Sequence, residues 1–128
     1  MRTLNITAGK PRKDLETIAL TKREGEALRS FVERLRQSLG ENLVSVILFG
    51  SKARGDSKKG SDIDLLVTVR ERNLTTEKKI IEQIVGTELH YNIYRLSPII
   101  YSVEEYGERK KEGVPFILEI DSDGVTLQ

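Results

Sequence analysis

LFGSKARGDSKKGSDIDLLV, residues 48–67, links two apolar runs through a basic, glycine-rich loop. The first run, LVSVILF (43–49), is short, β-branched and apolar at nearly every position. That is the pattern of a central strand covered on both faces. The second, DIDLLVTV (62–69), reads as a strand. Ile63, Leu65, Val67 and Val69 point one way; Asp62, Asp64, Leu66 and Thr68 point the other. Between the runs, residues 50–60 hold three glycines in eleven positions, which leaves room for one helical turn near Ser51 and for no long helix. A link of about a dozen residues is close to the lower limit for a parallel crossover, so a mixed or antiparallel sheet is favoured.

Asp62 and Asp64 therefore share a strand face, with backbones roughly 7 Å apart. Left alone, two such carboxylates repel and resist desolvation. A divalent cation between them removes both costs. Magnesium takes oxygen ligands, commonly one or two carboxylates together with substrate phosphate. The preceding loop offers the complementary half. Gly50 lets a phosphate approach backbone N–H groups at the start of a helical turn, and Ser51 adds a hydroxyl. Lys52, Arg54, Lys58 and Lys59 add positive charge, offset in part by Asp56. Arg54 is the best placed of these to meet a phosphate with its planar fork. The chemistry this suggests is in-line attack on the α-phosphorus of a nucleoside triphosphate. Each piece alone has an ordinary reading: a Gly-Ser turn, a surface Asp-x-Asp, an Arg54–Asp56 surface pair, solvated lysines. The combination carries the argument. It is not the Walker pattern, whose glycines and lysine fall in a different order.

Outward from this stretch, TKRE (21–24) is a capping box that opens a helix. Leu28, Phe31, Val32, Leu35 and Leu39 form its apolar stripe and Gly40 its stop. Thr75 or Thr76 caps a second helix carrying Ile80, Ile81, Ile84 and Val85, ended or bent by Gly86. The segment 89–101 reads as a third strand, with Pro98 marking an edge position. Ser102 and Glu105 repeat the capping box, Gly113 lies beyond that helix, and Pro115 opens another helical turn. DSDG (121–124) reads as a turn, and 125–128 as a last strand. Residues 1–14 read as a flexible tail and 15–20 as a short extended piece, leaving one domain over 15–128.

The 128 residues carry 32% charged side chains and a net charge of +1, so no global basic field exists to coat nucleic acid, although a local patch stays open. There is no cysteine, which excludes disulfides and thiolate metal sites. No apolar run approaches the ~20 residues of a membrane helix and no signal-peptide pattern opens the chain, so a soluble cytoplasmic protein is expected.

Gly50-Ser51, ten residues, then Asp62-Ile63-Asp64 resembles the signature of the DNA polymerase β-like nucleotidyltransferases, and most of all the minimal nucleotidyltransferases. Ala53-Arg54-Gly55 matches the usual filler. The resemblance implies an α+β fold: a small mixed or antiparallel sheet with helices packed on one face. It implies Mg²⁺, as two ions, on Asp62 and Asp64, and ATP phosphates on Gly50 and Ser51. It implies transfer of a nucleoside monophosphate to a hydroxyl with release of pyrophosphate. Many such domains pair with a HEPN-domain toxin and act as its antitoxin, some by adenylylating a tyrosine of the toxin.

Active sites of this superfamily carry a third carboxylate on a neighbouring strand. The expected strand, 89–101, has no Asp or Glu; Glu88 lies just before it and Asn92 within it, the two candidates for a third or supporting position. His90, the only histidine, reads as a strand residue. Tyr91, Tyr94, Tyr101 and Tyr106 read as half-buried residues or part of a partner interface. Three functions stay open: an enzyme modifying its toxin partner, an antitoxin that neutralises by binding alone, and a small transferase acting on RNA or a small-molecule hydroxyl.

Overall fold

The structure, a computed structural model, describes residues 19–55 and 61–128, together with the backbone of Arg2–Thr3. In chain order the elements are β1 (Arg2–Thr3), α1 (Lys22–Leu39), a 3₁₀ turn (Gly40–Asn42), β2 (Leu43–Phe49), α2 (Gly50–Arg54), β3 (Ile63–Val69) and α3 (Leu74–Tyr91). Then follow β4 (Leu96–Ser102), α4 (Val103–Lys111), α5 (Pro115–Asp123) and β5 (Val125–Thr126). The sheet order is β1-β5-β2-β3-β4. β2 runs antiparallel to β3 and β5, while β4 is parallel to β3 and β1 parallel to β5, so the sheet is mixed. Of the expected tail over 1–14, all but Arg2–Thr3 lies outside the described residues, as does most of the extended piece at 15–20.

Strand parity builds the core. Val46 and Leu48 of β2 and Ile63, Leu65, Val67 and Val69 of β3 meet α1 and α3 on one face. Each buried Leu or Phe there contributes about 1.5–3 kcal/mol over exposure. Ile47, Phe49 and Leu66 point to the other face, where Ile120 and Phe116 of α5 and Tyr106 of α4 cover them. One-face packing thus holds for α1 and α3, joined by Ala53 of α2. α4 and α5 cover the second face because β2 and β3 are apolar on both sides.

Local signals explain most boundaries. Thr21 and Glu24 form the capping box of α1. α3 is capped by Asn73, whose Oδ1 accepts from the Thr76 amide at 2.9 Å, rather than by Thr75 or Thr76. Gly86 neither ends nor bends this helix. Its missing Cβ makes room for the Arg34 guanidinium, 3.2 Å from where a Cβ would stand. α3 runs on to Tyr91, so Leu89, His90 and Tyr91 are helical and the third strand starts at Leu96, seven residues later than expected from 89. Asn92 ends α3 at φ 53 in the left-handed region, which Asn tolerates better than most residues. Pro98 does lie on an edge strand, paired with β3 alone. DSDG is not a turn: α5 continues through Asp123, with Pro115 at its first position.

The capping box at Ser102 and Glu105 is tied to the β3–α3 loop. Arg72 Nε donates to Glu105 Oε1 at 2.7 Å and Nη2 to Oε2 at 2.6 Å. The Arg72 hydrogen bonds, then the Ser102 amide, lower the Glu105 carboxyl to about 2. A depressed carboxyl stabilises the fold fully above its ordinary value near 4.5, and that stabilisation is lost as pH falls toward 2. Glu105→Gln therefore lowers the melting temperature by a few degrees at neutral pH. In melts across acidic pH the gap from wild type closes through that window; a gap constant with pH would refute the pairing.

Candidate active site

The antiparallel register of β2 and β3 sets Phe49 opposite Asp64, which puts Gly50 beside the Asp64 carboxylate. The fit is close. A Cβ on Gly50 would stand 2.4 Å from Asp64 Oδ2, and Gly50 has φ 74. Only glycine meets both demands without strain. Asp62 lies just before β3 and Asp64 within it, on either side of the buried Ile63. Both carboxylates thus share the sheet face that carries Leu66, as strand parity requires.

Asp64 is partly buried. Burial, then the negative charge of Asp62, raise its carboxyl above the ordinary range, and Arg54 pulls it back in part. Asp62 is largely exposed, and the Arg95 guanidinium approaches it at 3.8 Å. The Arg95 carbonyl also accepts from the Ile63 amide at 2.7 Å, which fixes the chain beside the pair. Two carboxylates on adjoining strand positions fit magnesium, which completes its shell with water and phosphate. Among the described residues no group of three or more His, Cys, Asp and Glu is arranged to hold a metal ion.

α2 starts at Gly50, and no side chain caps it. Its leading amides are therefore open to a partner from outside the helix. Ser51 is half-buried on this first turn. Arg54, at the far end of α2, acts electrostatically on Asp64. Lys52 departs from the expected phosphate-facing role. It is 4% exposed and its Nζ lies 3.4 Å from Glu24 Oε1, on the opposite side toward α1. Its alkyl stem and charge are used to join α2 to the first turn of α1. Asp56, Lys58 and Lys59 lie outside the described residues.

The structure brings Gly50, Ser51, Arg54, Asp62 and Asp64 to one region, and sets Glu88 and Asn92 at the C-terminal end of α3. Asn92 is an exposed helix cap whose Oδ1 accepts from the Tyr94 hydroxyl at 2.6 Å. Glu88 projects from α3, which packs on the opposite sheet face, and its Oε2 accepts from the Leu96 amide at 3.3 Å. The β4 residue paired with Asp64 is Ser97, so that strand supplies no third carboxylate at this level. Sequence reasoning missed Arg95, and it missed a cleft of about 90 Å³ beside Gly50. Gly50 and Arg54 form one wall of it, Phe116, Glu119 and Asp123 of α5 the other, above Phe49 and Ile120. No spacing signal joins residues so far apart in the chain.

Residues 28–121 match the nucleotidyltransferase domain family. The chain is 39% identical over 103 residues to "Putative protein adenylyltransferase MJ0141" of Methanocaldococcus jannaschii, spanning 80% of this chain and 96% of that one. A second protein of that organism, "Putative protein adenylyltransferase MJ1305", is 35% identical over 75 residues, 57% of this chain and 51% of its own. A crystal structure described as a putative nucleotidyltransferase from Sulfolobus solfataricus superposes with a TM-score of 0.49 at 24% identity, covering 80% of this chain and 83% of that one. Among the described residues no helix is long and apolar enough to cross a membrane. From the family match over most of its length and the near-complete span of its relative, the chain belongs to the nucleotidyltransferase domain family.

Proposed function

We propose that this nucleotidyltransferase moves AMP from ATP to a hydroxyl of a partner protein, in a magnesium-dependent reaction that releases pyrophosphate. The observation that carries the reading is the placement of the Asp62–Asp64 pair against Gly50 at the open end of α2. The naming of its relatives as protein adenylyltransferases supports a protein acceptor. Asp62 and Asp64 hold the metal, whose chemistry is to offset phosphate charge as the attacking and leaving oxygens develop it. Gly50 admits the phosphates to the α2 amides, the Ser51 hydroxyl donates to them, and Arg54 meets them with its planar fork. The acceptor is a tyrosine of a HEPN-domain toxin, for which this chain acts as antitoxin in the cytoplasm.

A second reading has one observation in its favour: Ser97, not a carboxylate, stands beside Asp64. On that reading the chain neutralises its toxin by binding and transfers nothing. Incubation with Mg²⁺, a HEPN-domain protein from the same genome and ATP labelled at the α- or γ-phosphate separates the two. Transfer puts α-label and no γ-label on the partner, and Asp62→Asn with Asp64→Asn lowers it by about 10³-fold. Neutralisation that survives with no label from either position supports binding alone.

A further inference from the structure

We propose that the α5 carboxylates Glu119 and Asp123 receive the acceptor, a phenolic hydroxyl, and take its proton, since β4 sets Ser97 rather than a carboxylate beside Asp64. This rests on the transfer reading above. Two residues join the cleft to the aspartate site. Gly50 touches Asp64 on one side and lines the cleft on the other, and Arg54 lines the cleft while acting on Asp64. The cleft therefore opens beside the reacting centre, on the same sheet face.

Its lining suits an aromatic alcohol better than a phosphate. Among the described lining residues two carboxylates on the α5 wall face the guanidinium of Arg54, which keeps phosphate on the Gly50–Arg54 side. Phe116 packs edge-on against Phe49 at 5.5 Å between ring centroids, giving an apolar, aromatic side for a phenol ring. A carboxylate is a hydrogen-bond acceptor for the phenolic O–H and a base for its proton.

The acids also have no evident part in holding α5. Asp121 pairs with Lys110 of α4 at 3.1 Å; Glu119 and Asp123 have no ion pair among the described residues. They lie four residues apart, where like charges on a helix repel, and Asp123 occupies the last position, where the macrodipole disfavours an anion.

In the step, the phenolic oxygen bonds to the α-phosphorus, and the bond from that phosphorus to the bridging oxygen breaks. Pyrophosphate leaves with the electron pair. The phenolic proton passes to the α5 carboxylate and then to water.

The full chain and its E119Q/D123N variant are compared for pyrophosphate release from Mg-ATP, with water and N-acetyltyrosine amide as acceptors. Mg-ATP affinity is read by calorimetry and stability by thermal melts. The expected result is a kcat lowered by about 10²-fold with unchanged nucleotide affinity and an equal or higher Tm, and formate restoring part of the rate to E119A/D123A. Wild-type turnover in E119Q/D123N overturns the inference, and if D62N/D64N is then inactive the transfer reading stands. Joint loss of rate, affinity and Tm assigns the pair to structure and overturns it as well. A wild-type chain that transfers AMP to neither acceptor overturns this inference, and labelling of the HEPN-domain partner then decides the transfer reading by itself.

Discussion

Gly50→Ala removes most transfer activity while leaving a folded protein. Two effects act at this position. An L-residue at φ 74 costs about 1–2 kcal/mol of stability. The new methyl would also stand 2.4 Å from Asp64 Oδ2, and the short Asp64 side chain must rotate away to admit it. Rotation relieves the clash cheaply but takes the carboxylate off its aim. A misplacement of about 1 Å in a reacting assembly costs about 10²-fold in rate. Gly113→Ala is the control: Gly113 has φ 71 with open space around it, so it pays the backbone strain alone. Melts and transfer assays on both variants should show similar losses of Tm and a rate defect in Gly50→Ala only. Equal rates would mean that Asp64 needs no fixed position.

Asp64→Asn has the opposite signature: a higher Tm without metal and about 10³-fold less transfer. Burial and the Asp62 charge raise the Asp64 carboxyl above its ordinary value of 3.8, so the folded chain holds this proton more tightly than the unfolded one. The resulting penalty is absent below 3.8 and complete above the raised folded value. Asparagine removes it, so the Tm rises. The gain grows as pH rises from 3.8 through the folded value and vanishes in strong acid. Millimolar Mg²⁺ and ATP should raise the Tm of the wild type and not of the variant. A variant less stable than wild type at neutral pH would contradict the frustrated carboxylate pair.

The centre of the fold was legible because its signals are local. The runs at 43–49 and 62–69, the parity of Asp62 and Asp64, the boxes at Thr21 and Ser102 and the edge proline Pro98 all follow from nearest-neighbour chemistry. The third strand was placed too early because Leu89, His90 and Tyr91 suit either state. Their helical fate depends on Ile80, Ile84 and Thr87 packing inward and on Asn92 accepting a left-handed cap. Glu88 and Asn92 moved with that boundary, from the start of a strand to the end of α3. Lys52 sits in a basic loop by sequence, yet its destination, Glu24, is set by how α1 crosses β2. Arg95 and the α5 acids come to the site only through β4 pairing and the packing of α5 on the second face.

The most direct measurement is a crystal structure of the protein with magnesium and α,β-methylene ATP. The account predicts Asp62 and Asp64 carboxylate oxygens at about 2.0–2.1 Å from magnesium, with phosphate oxygens accepting from the amides at Gly50 and Ser51. A nucleotide bound elsewhere, or metal held without either aspartate, would contradict it.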